Sequence, residues 1–286
     1  MSGDRIALGA THGHRVGEVE YQEHDFLAPL HALGIFMSVE VLEKSVDNAR
    51  ARVELRRRGL DSVTPWFAKV LHKTRIVRGV NVGLLKKSWD VLRTLQFIEQ
   101  HVSKTTPILD LGAYGSEVPC SLHKMGYSDL TGIDLNPDLR QMPYQQSIRY
   151  VTGDFARTSF PEESFGAITA ISVVEHGFCG PKLFRETSRI LKTGGYLIGS
   201  TDYWPEKIDT KGVIVYGLDW TIFSKSELLN LIEEAGKYRL VPVGPLHFEA
   251  SVPTVNWFKR DYTFAWFAFR KIDSRTTLDP KDAVAS

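Results

Sequence analysis

Apolar residues recur along the chain at two spacings, and the change from one to the other divides it. Across residues 25–58 the spacing is three and four, with Leu30, Leu33, Met37 and Val41 on one stripe, which predicts a long helix. Arg56, Arg57 and Arg58 followed by Gly59 form its stop, because cations suit a helix C-terminus and glycine lets the chain leave. A shorter helix is predicted over 66–73, after Pro65. Another opens at Ser88, with Val91, Leu95, Ile98 and Val102 as its buried stripe.

After Pro107 short apolar runs alternate with helical segments. Strands are predicted at 108–110, 130–134, 148–152, 165–172 and 196–201, with helices ending near Met125 and Leu191 between them. The run at 165–172 is continuous rather than alternating, which marks a strand covered on both faces. Ser224 and Glu227 form a capping box that opens a helix reaching Gly236. Two last strands, 239–243 and 263–270, have only loop between them and are expected to pair antiparallel at the sheet edge. The prediction is an α/β fold: a seven-stranded, mostly parallel sheet with an antiparallel C-terminal edge strand and an N-terminal helical extension. The expected organisation is a flexible tail at 1–20, a basic helical extension or lid at 21–87, a core at 88–272 and a flexible tail at 273–286. No internal repeat or low-complexity tract is present.

Composition narrows this picture. With 286 residues and 43% hydrophobic positions, the chain can bury a sizeable core. Two cysteines, Cys120 and Cys179, cannot form a disulfide scaffold and read as small buried hydrophobes. The N-terminus lacks an apolar leader, and runs such as 167–174 are too short to span a bilayer, so no transmembrane segment and a cytoplasmic location are expected. The net charge of +1 is a cancellation. Residues 50–93 hold twelve Arg and Lys against Glu54, Asp61 and Asp90, a balance of +9 that leaves −8 elsewhere.

In a parallel sheet, ligands bind beyond the C-terminal strand ends, where the loop from Asp110 to Ser116 is expected. A dinucleotide fingerprint starting at Gly112 fails, because Tyr114 and Glu117 stand where glycines belong. The carboxylate of Asp110 just before the turn suits a cationic, phosphate-free ligand better than a pyrophosphate. Acidic residues are plentiful but form no metal-binding spacing, and His12-Gly13-His14 lacks a third ligand nearby, so no metal is expected.

Five motifs in order then carry a resemblance. They are Ile108-Leu109-Asp110-Leu111-Gly112-Ala113-Tyr114-Gly115-Ser116, Gly132-Ile133-Asp134-Leu135-Asn136-Pro137, Gly153-Asp154-Phe155, Ser172-Val173-Val174-Glu175-His176 and Leu191-Lys192-Thr193-Gly194-Gly195. Together they resemble the class I S-adenosylmethionine-dependent methyltransferases of the small-molecule group, over roughly residues 88–271. The resemblance implies a Rossmann-like core and S-adenosyl-L-methionine as cofactor. It implies cofactor-binding roles for Asp110, Gly112, Ala113, Tyr114, Ser116, Asp134, Leu135, Asp154, Phe155 and Ser172. Gly112 would admit the methionine part of the cofactor, and Asp110 would steer its aminopropyl end. Asp134 would accept both ribose hydroxyls, Asp154 the adenine amino group, and Phe155 would pack near the ring. The chain departs from the family at Tyr114 and Ser116, where glycines are usual.

The same resemblance places His176 at the acceptor pocket as the candidate general base, with Glu175 less suited to take the proton and expected to orient a loop or the histidine. Asp202, Tyr203 and Trp204 are candidate acceptor contacts. Each has a plainer reading: His176 as a hydrogen-bonding structural residue, Asp134 as a helix cap, Tyr203 and Trp204 as packing, and the basic segment as solvated helix faces, which could otherwise grip an anionic acceptor or dock a partner or a membrane surface. The expected function is O-methylation of a small-molecule or glycan-precursor acceptor, anionic in part if the basic segment grips it. An RNA methyltransferase using residues 50–93 and a non-catalytic binding protein on the same scaffold are the alternatives. Nucleic acid is the less favoured partner, because no recognition module is present. The sequence leaves the oligomeric state open.

Overall fold

The computed structural model describes residues 36–74, 76, 79–177 and 180–273. The stripe residues Leu30 and Leu33, the His12/His14 pair, Cys179 and the C-terminal tail beyond Asp273 lie outside them.

The expected seven strands are present, joined by two short ones in a nine-stranded sheet among the described residues. Five parallel strands form its heart: β2 (Ile108–Leu111), β3 (Leu130–Asp134), β4 (Ile148–Thr152), β5 (Phe165–Ile171) and β6 (Leu191–Tyr203). The order from β6 is β6-β5-β2-β3-β4, so the connection reverses direction at β2. The C-terminal strand β11 (Arg260–Lys271) runs antiparallel to β6, and β1 (Val39–Val41), β9 (Leu240–Pro242) and β10 (Val255–Trp257) all pair antiparallel to β11.

β1 corrects the long helix expected over residues 25–58. Val39-Glu40-Val41 pairs with residues 265–267 as a strand, and the helix α1 begins only at Ser45 and ends at Arg57. Two β-branched residues flanking Glu40 fit the pleated edge, where Val39 and Val41 are buried on the sheet. A period-3.6 reading of Met37 and Val41 coincides there with a strand. Residues 36–87 therefore belong to the same compact unit as the core, with β1 built into its sheet.

The helices α2 (Trp66–Lys73), α3 (Ser88–His101), α4 (Val118–Lys124), α5 (Pro181–Ile190) and α6 (Lys225–Lys237) follow the expected positions, and the α6 capping box is formed. Alternation along β11 divides the core. Phe267 and Phe269 join Leu109, Ile168, Phe184 and Leu228 on one face, under α5 and α6. Trp266 and Ala268 join Leu55, Leu95, Ile98, Leu122 and Leu130 on the other, under α1, α3 and α4. No helix among the described residues is long and apolar enough to cross a membrane.

Candidate active site

The strand ends β2, β5 and β6 open on one side of the sheet, and the loops there enclose a cavity of about 200 Å³. Gly112, Tyr114 and Ser116 line it from the β2 loop, Ser172, Glu175 and His176 from the segment after β5, and Asp202 from the end of β6. Seven of the residues singled out in the sequence thus meet at one cavity.

The β2 loop is held by backbone rather than by long side chains. Gly112 has φ +69, and a Cβ there would lie 2.8 Å from Val173 Cγ2. Tyr114 N donates to Asp134 Oδ2 (3.1 Å), and Asn136 N donates to Asp134 Oδ1 (2.8 Å). Asp134 therefore organises the two loops at the tips of β2 and β3 while its carboxylate stays half-exposed. Gly132 leaves the space its neighbours fill: a Cβ would meet Ala113 Cβ at 2.7 Å. Ala113 is fully buried, and Leu135 is exposed beside the loop.

Asp110 sits beneath this loop, buried and outside the cavity wall. Its Oδ1 accepts from Thr169 Oγ1, while Oδ2 is buried without a partner. Burial pushes its carboxyl up to about 7. Asp154 is exposed and accepts from Ala156 N (2.8 Å), closing a turn, and Phe155 is buried in the core.

At the end of β5 the backbone turns sharply. Ser172 takes φ +58, a left-handed conformation costly for a residue with a Cβ, and such positions cluster at functional sites. The turn directs the 3-10 segment Val174–His176 back over the cavity. Ser172 Oγ, Glu175 Oε2 and His176 Nδ1 are all buried without hydrogen-bond partners. Burial, reinforced by the Asp202 charge, pushes Glu175 up to about 8, so its carboxyl is protonated at neutral pH. Burial lowers the His176 pKa, which leaves the imidazole neutral at the same pH.

The cavity floor holds a charge cluster that the sequence reading missed. Lys87 Nζ lies 3.2 Å from Asp202 Oδ1 and 3.4 Å from Asp90 Oδ2. Trp220 Nε1 donates to Asp202 Oδ2 (2.8 Å) and Ser200 Oγ to Asp90 Oδ2 (2.8 Å). Burial alone would lower the Lys87 pKa, but the neighbouring carboxylates, Asp202 first and then Asp90, outweigh it and hold the ammonium charged. Burial raises the Asp90 pKa. A signal existed: Lys86 and Lys87 stand just before the N-terminus of α3, where the helix dipole repels cations. A local rule broken in this way marks a site, here one compensated by buried carboxylates.

Other contributors come from far along the chain. Tyr216 sits at the tip of the hairpin formed by β7 (Ile214–Val215) and β8 (Leu218–Asp219), and its ring lies 5.7 Å from that of His176. Lys86 Nζ stands over the Trp257 ring, 4.1 Å from its centroid, and both residues line the cavity. Of the three candidate acceptor contacts, only Asp202 reaches the cavity. Alternation on β6 sends Tyr203 to the opposite face, where its hydroxyl donates to Phe248 O (2.6 Å), and Trp204 stands outside the wall.

Residues 109–199 match a family described as a methyltransferase domain. No protein of curated function matches the chain by sequence. Among solved structures, a proposed sarcosine dimethylglycine methyltransferase from Galdieria sulphuraria is 17% identical with a TM-score of 0.51, over 72% of this chain and 98% of that one. A geranyl diphosphate C-methyltransferase from Streptomyces coelicolor A3(2) is 18% identical with a TM-score of 0.48, over 63% of this chain and 80% of that one. At 17% identity the likeness to the first of these is one of fold.

Proposed function

We propose that the core of this chain, which carries the methyltransferase-domain match, is a class I S-adenosylmethionine-dependent methyltransferase and that it methylates a hydroxyl of a small molecule, such as a sugar or glycan precursor. The residues fit the cofactor. Gly112, whose positive φ lets the loop pass close to Val173 and along the cavity wall, and a buried, unpartnered Asp110 oxygen under the same loop support binding of a cationic group there. When bound, S-adenosylmethionine supplies a methyl group on a sulfonium centre. Asp134 would hold the ribose hydroxyls, since a carboxylate offers two acceptors to a vicinal diol. Tyr114, Ser116 and Ser172 would wall the methionine part, and Ala113 and Leu135 would flank it. Asp154 and Phe155, away from the cavity wall, are assigned to the adenine end on family resemblance.

The observation that carries the acceptor assignment is the set of unpartnered buried atoms around one cavity: Ser172 Oγ, Glu175 Oε2 and His176 Nδ1. Buried polar atoms cost free energy unless paired, so this set is matched to a ligand with hydroxyl groups. Neutral His176 can take the hydroxyl proton as the oxygen becomes the nucleophile, and Asp202 favours the resulting imidazolium. Protonated Glu175 cannot act as a base at neutral pH. It donates a hydrogen bond that orients the acceptor. Positioning of the oxygen in line with the methyl group then supplies much of the acceleration.

Lys87 is engaged by Asp202 and Asp90, so an anionic group on the acceptor would face Lys86 instead. The rest of the basic segment supports a small acceptor over RNA. Arg52, Arg56, Arg57, Arg58 and Arg93 all make ion pairs within the protein. The test is methyl transfer from labelled cofactor to a panel of hydroxyl metabolites, with product identification. A methyl ether is expected, and methylation at nitrogen or carbon would overturn the acceptor assignment.

A further inference from the structure

One helix of this protein is built inside out. In α2 no residue is buried, and Trp66, Phe67 and Val70 are 78%, 55% and 51% exposed. These three, with Lys73 and Thr74, share one arc of the helix at 100° per residue, and Ile76 just beyond is 72% exposed. Ala68 and His72 occupy the opposite arc, and His72 faces inward, its Nδ1 2.9 Å from Asn81 Oδ1. A surface helix normally turns its aromatic residues to the core.

The charge around the helix is of one sign. Between Asp61 and Asp90 the sequence carries Lys69, Lys73, Arg75, Arg78, Lys86 and Lys87 and no acidic residue. Most of the other cations of the basic region are held in ion pairs, but among the described residues Lys69 and Lys73 form none. An outward aromatic and aliphatic arc flanked by unpaired lysines has the chemistry of a helix lying in the headgroup region of an anionic bilayer. Rings and aliphatic carbons enter the acyl boundary, and ammonium groups reach the lipid phosphates.

The base of the excursion that carries this helix lies at the cavity mouth. The excursion that contains it closes where Thr64 N donates to Val82 O (2.9 Å) and Val82 N to Thr64 Oγ1 (2.8 Å). The next residue, Gly83, donates to Gly115 O (2.8 Å) of the β2 loop, and exposed Leu84 lines the cavity itself. Leu84 and its exposed neighbour Leu85 stand beside that base.

We propose that α2 docks this protein on an anionic lipid bilayer, so that the cavity opens toward acceptors held at the membrane surface. The docking rests on α2 and its lysines. The statement about the acceptor rests in addition on the methyltransferase reading.

The full chain is floated with vesicles of phosphatidylcholine and phosphatidylglycerol in equal parts, and with phosphatidylcholine alone. Flotation with the anionic vesicles, weaker with the neutral ones, is expected. The double variants W66A/F67A and K69E/K73E should each lose at least about tenfold in vesicle affinity, with melting temperature and cofactor affinity unchanged. Absence of flotation by the wild type, or equal flotation of the variants, overturns the docking. A wild-type dimer that W66A/F67A dissociates in sedimentation velocity overturns it in favour of a second copy of the chain. Cofactor affinity, measured by calorimetry on the same samples, keeps the two ideas apart: a protein that floats but binds no S-adenosylmethionine retains the docking and loses the methyltransferase reading.

Discussion

Arg52 grips Glu117 through two parallel hydrogen bonds, Nη1 to Oε1 at 2.6 Å and Nη2 to Oε2 at 2.8 Å, with both side chains almost completely buried. Glu117 also accepts from Ser62 N (2.9 Å) and lines the cavity next to the β2 loop. The pair fastens α1 to the loop expected to carry the cofactor. A glutamate thus occupies a position at which a dinucleotide fingerprint would require glycine.

Arg52→Ala should cost about 3–5 kcal/mol of stability, because it leaves the Glu117 carboxylate buried without its counter-charge. Arg52→Lys should recover only part of that, since an ammonium cannot make the forked pair. Urea denaturation of the three proteins measures this directly. A change below the usual surface range would show that the fork contributes little.

His176→Ala should lower kcat by about 10²- to 10⁴-fold while cofactor affinity stays within a few-fold of wild type. Wild-type turnover in the variant would remove His176 from the mechanism.

The pH profile should have two limbs. Burial lowers the His176 pKa, so turnover should rise with pH through a value below 6.5 as the imidazole loses its proton. Glu175 must stay protonated to donate its hydrogen bond, so turnover should fall near pH 8 as it ionises. Glu175→Gln keeps a donor and cannot ionise, and it should abolish the alkaline limb alone. A limb that persists in that variant belongs to another group.

Glu175 also makes stability fall as pH rises. Its folded pKa is raised to about 8 from 4.5, so between those values the folded state binds the proton more than the unfolded state does. The contribution is fully present below 4.5 and is lost as pH climbs toward 8, with a slope of at most about 1.4 kcal/mol per pH unit. Against Glu175→Gln, the wild-type urea midpoint should therefore drop further between pH 5 and pH 9. Parallel curves would mean that the carboxyl is ionised in the folded protein.

Asp134→Ala should weaken cofactor binding by about two to four orders of magnitude, because it removes two charged hydrogen bonds worth about 1.5–3 kcal/mol each. It also frees Tyr114 N and Asn136 N, so a somewhat more mobile loop is expected alongside. Unchanged affinity by calorimetry would refute the ribose role.

Removal of residues 1–87 should cost the fold itself. It strips β1 from β11 and takes away Lys87, leaving Asp90 and Asp202 buried without their cation. Circular dichroism and a thermal melt should show a poorly packed protein, and a cooperative native-like melt would restore the picture of a detachable lid.

The alternation of helices and strands after Pro107 was legible because each element carries its own local signal. Strands β3 and β4 begin and end at the expected residues, and Ser224 with Glu227 announces α6 through a cap that forms as read. The loop after β2 and the segment Ser172 to His176 were legible for the same reason, as short motifs at strand ends. β1 was not, since Met37 and Val41 satisfy a helical period while the partner that makes 39–41 a strand lies more than two hundred residues away. Lys87 was not either. Its charge read as one of twelve in a basic segment, and nothing local shows that Asp90 and Asp202 close around it.

The sequence by itself therefore determined the α/β class, the order of the strands along the chain and the polar groups held at their ends, because periodicity, capping and turn chemistry act over a few residues. Only the tertiary structure decided which of those groups share a cavity. It joined His176 to Asp202 and Lys87, sent Tyr203 to the far face of its strand, and spent most of the +9 segment on internal ion pairs while leaving α2 turned outward. Those outcomes depend on burial and on contacts between distant elements, and burial sets both the protonation of Glu175 and His176 and the cost of leaving a charge unpaired.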